Sequence, residues 1–305
     1  MKIMITGSSG LVGKNISELA ILLGYNVIAP NRKELNLLDS HSVNTYIKNN
    51  KPDLIIHCAG LVGGIQANIA APYDFCYQNS MLGMNIINSA YQNGVRHLIN
   101  LGSSCMYPRE ANNPLSEELI LTGELEPTNE GYAISKILTT RLCMYLSKTK
   151  GVSYKTYIPC NLYGKWDTFD EKSSHMIPSV IRKIDTALNN NAPSIDVWGD
   201  GSVRREFMYA GDLADFVLYS LNNFGAIPDL INVGLGYDYS ITEYYKTIAN
   251  IIGYQGDFSY DHTKPSGMKQ KLVDISKQTQ LGWSPKTTLE SGIQKTYNFY
   301  INEVK

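Results

Sequence analysis

The 305-residue chain is 43% hydrophobic and 18% charged, enough to bury one large core or two modest ones, which excludes a disordered or fibrous protein. Its 27 Lys and Arg stand against 28 Asp and Glu with no basic run, so neither a nucleic-acid groove nor a membrane surface is expected as a partner. Five scattered cysteines without a C-x-x-C pair and five dispersed histidines give neither a disulfide framework nor a metal site. The opening apolar run stops at Gly7, short of a secretory signal, and no segment approaches the roughly 20 apolar residues that span a bilayer, so a cytoplasmic protein is expected.

In chain order, Lys2-Ile-Met-Ile-Thr6 reads as a strand that ends in Gly7-Ser-Ser-Gly10-Leu-Val-Gly13, and Asn15 to Leu23 follows with apolar residues at helical spacing. Strand, glycine turn and helix in that order suit a dinucleotide. Glycines let the backbone approach a pyrophosphate, whose charge the amides and dipole of the helix N-terminus stabilise. The spacing is G-x-x-G-x-x-G, which differs from the G-x-G-x-x-G fingerprint.

A second strand, Tyr25 to Pro30, should end beside the adenosine ribose, where an NAD site usually offers a carboxylate to the 2′-hydroxyl. Asn31-Arg32-Lys33 stands there instead. Arg32 can bind a 2′-phosphate, so NADP(H) is favoured over NAD(H), although Glu34 is close by.

A helix from Ser42 to Asn50 leads to the apolar strand Asp53-Leu-Ile-Ile-His-Cys-Ala59, closed by Gly60-Leu-Val-Gly63-Gly64. His57 reads as a packed histidine inside this sheet. A long helical stretch through Asn79 to Gln92 precedes the strand His97 to Leu101, which delivers Gly102-Ser103-Ser104-Cys105-Met106-Tyr107-Pro108. Ser-Ser at a strand end is ordinarily turn chemistry. Here it comes about thirty residues before Tyr132-Ala-Ile-Ser-Lys136, which places a phenol and an ammonium on one helix face. The Lys charge is expected to lower the Tyr pKa, and the phenol to pass a proton to a carbonyl oxygen that a Ser hydroxyl holds.

With these blocks the sequence resembles the extended short-chain dehydrogenase/reductase superfamily and, within it, the GDP-L-fucose synthases, bifunctional GDP-4-keto-6-deoxymannose 3,5-epimerase/4-reductases. The matching residues also include Val62-Gly-Gly-Ile65, Leu125 to Glu130, Asn161-Leu-Tyr-Gly164, Ser174-His175, Val197-Trp-Gly199 and Arg205-Glu-Phe207. They run on through Ile231 to Gly234 and Thr263-Lys-Pro265 to Leu281-Gly-Trp283, so the likeness spans nearly the whole chain.

The resemblance implies a Rossmann-type α/β fold, a doubly wound parallel sheet, with a smaller C-terminal substrate domain. Residues 1–164, with returning segments near 206–234, would bind NADP(H), and 165–305 would mainly bind the sugar nucleotide. It implies Ser103, Tyr132 and Lys136 as the reductase set, with Ser104 as fallback, and Cys105 and His175 as the epimerase acid/base pair, the Cys as a thiolate of lowered pKa. Gly7, Gly10, Leu11, Val12 and Gly13 would cradle the pyrophosphate and Arg32 the 2′-phosphate, with further cofactor contacts from Tyr132, Lys136, Asn161, Leu162 and His175. Lys183, Trp198, Arg205 and Lys271 would meet the substrate, and Asp274 is, with Lys271, similar to the family's C-terminal sugar-nucleotide contacts.

The implied activity is NADPH-dependent reduction of a GDP-linked 4-keto-6-deoxy sugar with 3,5-epimerisation, in a homodimer formed through the helices that carry Tyr132 to Lys136. Ser9, Lys183, the loop from Lys165 to Ser173 and the stretch Ser266 to Gln270 depart from the commoner family wording. A GDP-4-keto-6-deoxyheptose 4-reductase without epimerisation is therefore the enzymatic alternative, and a non-catalytic NADP-binding sensor the alternative of another class.

Overall fold

The computed structural model describes residues 1–171, 174–263 and 268–305. Lys172, Ser173 and the four residues Lys264 to Gly267 lie outside them, so the expectations placed on Lys264-Pro265, Ser266-Gly267 and the end of the 165–173 loop concern residues not described. The chain begins with β1 (Lys2–Thr6), α1 (Leu11–Leu22), β2 (Asn26–Ile28), α2 (Ser40–Asn50), β3 (Leu54–His57), α3 (Ile65–Ala70), α4 (Pro72–Gln92) and β4 (His97–Leu101). It continues with α5 (Glu130–Lys150), β5 (Ser153–Pro159), β6 (Asn161–Tyr163), α6 (Met176–Asn189), β7 (Ser194–Trp198), β8 (Arg204–Arg205), β9 (Phe207–Tyr209) and α7 (Ala210–Asn222). It closes with β10 (Leu230–Val233), β11 (Tyr239–Ser240), α8 (Ile241–Ile252), β12 (Asp257–Asp261), β13 (Gln270–Lys271), α9 (Ser276–Gln280) and α10 (Leu289–Phe299).

Six strands form one parallel sheet in the order β10-β5-β4-β3-β1-β2. Their apolar runs, buried along nearly the whole of β1, β3, β4 and β5, are what a sheet covered by helices on both faces requires. The chain leaves β1 for β2 on one side and returns to β3 on the other, so the carboxyl ends of β1 and β3 flank a topological switch point, where open α/β sheets bind ligands.

A second apolar cluster gathers Ile177, Ile181 and Ile184 of α6, Tyr244 and Ile248 of α8, and Ile293 and Phe299 of α10. Around it β7 pairs with β12, and β8 lies between β11 and β13. The helix α6 carries its apolar residues on one side, as such packing demands. Between the two clusters, Glu206 is fully buried and accepts hydrogen bonds from Leu235 N and Gly236 N on Oε1 and, at 2.9 Å, from Val273 N on Oε2. That one carboxyl ties the segment after β10 to the segment after β13. Among the described residues no helix is long and apolar enough to cross a membrane.

Candidate active site

The glycine turn after β1 is dictated by space. Gly7 has φ +69, and a Cβ on it would lie 2.7 Å from the Ala59 backbone at the end of β3. A Cβ on Gly13 would lie 2.3 Å from Gly7 O, so the first turn of α1 packs directly on the loop. At Gly10 the nearest atom would be 3.6 Å away, which leaves the outer side of the turn open. Gly10 caps α1 without a side-chain acceptor, so the amides of Leu11, Val12 and Gly13 face a position where an anion is favoured. The Ser8 hydroxyl donates to Ala29 O at 3.1 Å and joins this turn to the end of β2, beyond which Arg32 is exposed. These residues fit a dinucleotide diphosphate.

The helix α5 brings the acid/base groups to the end of β4. Gly131 permits it, since a Cβ there would meet Pro72 O of α4 at 2.6 Å. The buried Lys136 Nζ donates to Leu101 O at 2.8 Å and lies 5.6 Å from the centre of the Tyr132 ring. Ser103 Oγ accepts from Cys105 N at 3.3 Å, and its hydroxyl lies close enough to the Tyr132 phenol and the Cys105 thiol to act on the ionisation of both, whereas Ser104 is buried. Phenol, hydroxyl, thiol and ammonium therefore share one pocket.

Its electrostatics correct two expectations. Burial is the largest influence on Tyr132 and raises its pKa, with a further rise from Cys105, while the Ser103 hydrogen bond lowers it. The Lys136 charge does not reverse this, because its hydrogen bond goes to Leu101 O and not to the phenol. Burial also raises the Cys105 thiol, against the opposing pull of Ser103, Lys271 and Lys136. The thiol is not the lowered one that was expected. Lys136 itself is lowered by burial, and the nearby Cys105 and Cys58 oppose that.

On the facing wall, β13 runs parallel to β8 with Lys271 beside Arg205. Leu115 N donates to Leu272 O at 2.8 Å and Leu272 N to Asn113 Oδ1 at 2.7 Å, which holds Lys271 against the pocket. Burial lowers both cations, and both feel the Glu126 carboxylate at the entry to α5. His175 caps α6, next to Ser174, whose carbonyl lies near Gly64.

Residues 3–234 match the model of the NAD dependent epimerase/dehydratase family. The chain belongs to that family. It is 54% identical over 304 residues to a GDP-L-colitose synthase from Yersinia pseudotuberculosis, covering 99% of each. It is 45% identical to a GDP-L-fucose synthase from Azorhizobium caulinodans, over 99% of this chain and 98% of the other. A solved GDP-mannoheptose C4 reductase from Campylobacter jejuni with NADP bound superposes with a TM-score of 0.90 at 32% identity, over 99% of this chain and 98% of that one.

For a member of the NAD dependent epimerase/dehydratase family, the glycine turn at the start of α1 fits the diphosphate of a nicotinamide cofactor. Other expected contacts are differently engaged. The Asn161 amide donates to Glu206 O at 2.9 Å, Leu162 packs partly into the core, and Lys183 pairs with Asp196 at 2.7 Å. Trp198, 46% exposed at the end of β7, also interacts with that Asp196. Sequence reasoning gave no role to Glu126, Asp167 or Glu206. Glu126 and Glu206 lie inside quoted blocks, but only the fold reveals what they face.

Proposed function

We propose that this chain is an NADPH-dependent oxidoreductase that inverts C3 and C5 of a GDP-linked 4-keto-6-deoxy sugar and reduces its C4 ketone. The observation that carries the reading is the shared pocket of Ser103, Cys105, Tyr132 and Lys136. Ketone reduction alone needs no thiol beside the phenol, whereas a thiol beside a held ketone has acidified C–H bonds within its chemistry.

A nicotinamide held at the glycine turn would supply the hydride for the sugar C4. Ser103 donates to the ketone oxygen and orients it, and Tyr132, kept protonated by burial, gives that oxygen its proton. Lys136 fixes the ring from beneath and, through Leu101 O, ties α5 to β4. Arg32, exposed beyond β2, offers a 2′-phosphate its guanidinium, which is why NADPH is preferred. Arg205 and Lys271 meet the GDP diphosphate. Residues 1–164, with the returning β9, α7 and β10, carry the cofactor, and the elements from α6 onward carry the sugar nucleotide.

Before reduction the Cys105 thiolate removes a proton from C3 or C5, and His175 returns one to the opposite face. Two copies pair through α4 and α5, whose outward side exposes Tyr73 and Tyr77 on one helix and Ile134, Leu138 and Tyr145 on the other.

A second reading, 4-reduction of a GDP-heptose without epimerisation, draws support from the likeness to the GDP-mannoheptose C4 reductase. A cofactor sensor is disfavoured, because such proteins typically lack part of the Ser/Tyr/Lys set and this pocket holds all three. The test is a panel of the 4-keto precursors of GDP-L-fucose, GDP-L-colitose and the GDP-heptoses with NADPH and with NADH, the products identified by NMR. Oxidation of NADPH in preference to NADH with a 6-deoxyhexose precursor is the expected result; turnover of heptose precursors alone would contradict it.

A further inference from the structure

The loop between β6 and α6 carries a carboxylate to which the scheme above gives no task. Asp167 is 3% exposed at its side chain, in a loop where the preceding Trp166 takes φ +70. Its Oδ1 accepts from Thr168 N at 2.8 Å, and its Oδ2 is buried without a hydrogen-bond partner. At the start of α6, His175 Nδ1 is likewise buried without a partner and lies 3.8 Å from Asp167 Oδ1. One atom accepts and the other can donate, and leaving either unsatisfied costs about 1–3 kcal/mol. Such contacts often tighten only when substrate is held.

We propose that Asp167 is the positioning residue of His175. It accepts the Nδ1–H on the unpartnered Oδ2, turns Nε2 towards the sugar and stabilises the imidazolium, much as the carboxylate behind a hydrolase histidine fixes its tautomer. The proposal rests on the epimerase reading of Cys105 and His175. In each inversion the Cys105 thiolate takes the proton from carbon, and the C–H electron pair moves into an enolate on the C4 oxygen. The enolate collapses to the ketone as His175 Nε2–H gives its proton to the other face. The ring is left neutral with Nδ1–H still on Asp167, and thiol and imidazole then exchange protons with solvent, which restores thiolate and imidazolium.

The loop needs only an oxygen at Oδ1 for Thr168 N, which Asn also provides. D167N should therefore keep the fold, NADPH binding and the direct reduction of the 4-ketone. Its yield of epimerised product should fall on the order of a hundredfold. Ring ¹⁵N shifts, assigned with H175N, should show neutral His175 protonated on Nδ1 in the wild type and on Nε2 in D167N. An unchanged tautomer or an unchanged epimerised share in D167N overturns the proposal. So does a wild-type His175 protonated on Nε2, a measurement that needs no variant to fold. If the wild type makes no epimerised product, the epimerase reading fails, and the tautomer still decides the Asp167 contact.

Discussion

At the scale of single residues, the pocket separates two chemistries by how burial acts on each acid. The raised Tyr132 pKa keeps the phenol protonated, which suits a proton donor in the reductive direction. Y132F should lower kcat by roughly 10²- to 10⁴-fold with the NADPH dissociation constant unchanged, as read by steady-state rates and fluorescence titration. Unchanged turnover would mean that another group gives the proton. Cys105 is different, because it must ionise before it acts. With its pKa above the ordinary thiol value, the thiolate fraction rises about tenfold per pH unit across the neutral range. Solvent-deuterium entry at C3 or C5 should therefore accelerate from pH 6.5 to 8.5, while C4 reduction of the same substrate shows no loss from Tyr132 ionisation. Entry that is unchanged in C105S would remove Cys105 from the first step.

At the scale of elements, the strand ends set the chemistry, and the short strands around Glu206 set the second wall. His57, buried in β3, has its Nδ1 2.8 Å from the Thr6 hydroxyl and is lowered to about 3 by burial and, secondarily, by the Lys136 charge, so it stays neutral while the site works. Glu206 is raised from 4.5 to about 7, since burial outweighs its three backbone donors. Its folded form thus holds the proton more tightly than the unfolded chain. Stability should fall as pH rises from about 4.5 to 7, by about 3 kcal/mol from this group. His57 contributes the opposite slope between about 3 and 6.5, where the unfolded chain gains the proton first. Urea unfolding of wild type and E206Q at pH 5 and pH 8 isolates the first effect by difference. E206Q should lose less stability than wild type over that interval. A wild type that gains on E206Q with rising pH would mean that the three N–H donors hold the carboxylate charged.

This scale also shows what the sequence could reveal. The strands β1 and β4 were legible to the residue, because an apolar run between turn residues has few other fates. The Tyr132 to Lys136 pair was legible as one helix face. The direction of the Tyr132 and Cys105 shifts was not, because desolvation depends on what packs around a group, and no spacing in the chain records that. Glu126, Glu206 and Asp167 were hidden for the same reason. Their partners lie as far as Lys271 lies from Glu126, more than a hundred residues along the chain, and Glu206 owes its role to backbone amides, which leave no mark in side-chain identity.

At the scale of the whole molecule, the sheet presents the glycine turn at its switch point, and Arg205 and Lys271 lie side by side on the paired strands β8 and β13. The apolar stripes of α4 and α5 lie on the outer side of the helices that position Tyr132. On the proposed pairing, L138E should sediment as a monomer where the wild type sediments as a dimer, since one charge desolvated at such a face costs several kcal/mol. A dimer that survives L138E and Y77E together would place the interface elsewhere.

The central claim is that one pocket both inverts and reduces. The most direct measurement is NMR of the product formed from GDP-4-keto-6-deoxymannose and NADPH in deuterated water. The account predicts deuterium at C3 and C5 of an epimerised 6-deoxy product, lost in C105S. Stoichiometric NADPH oxidation that yields an unlabelled, uninverted 6-deoxy product would contradict it.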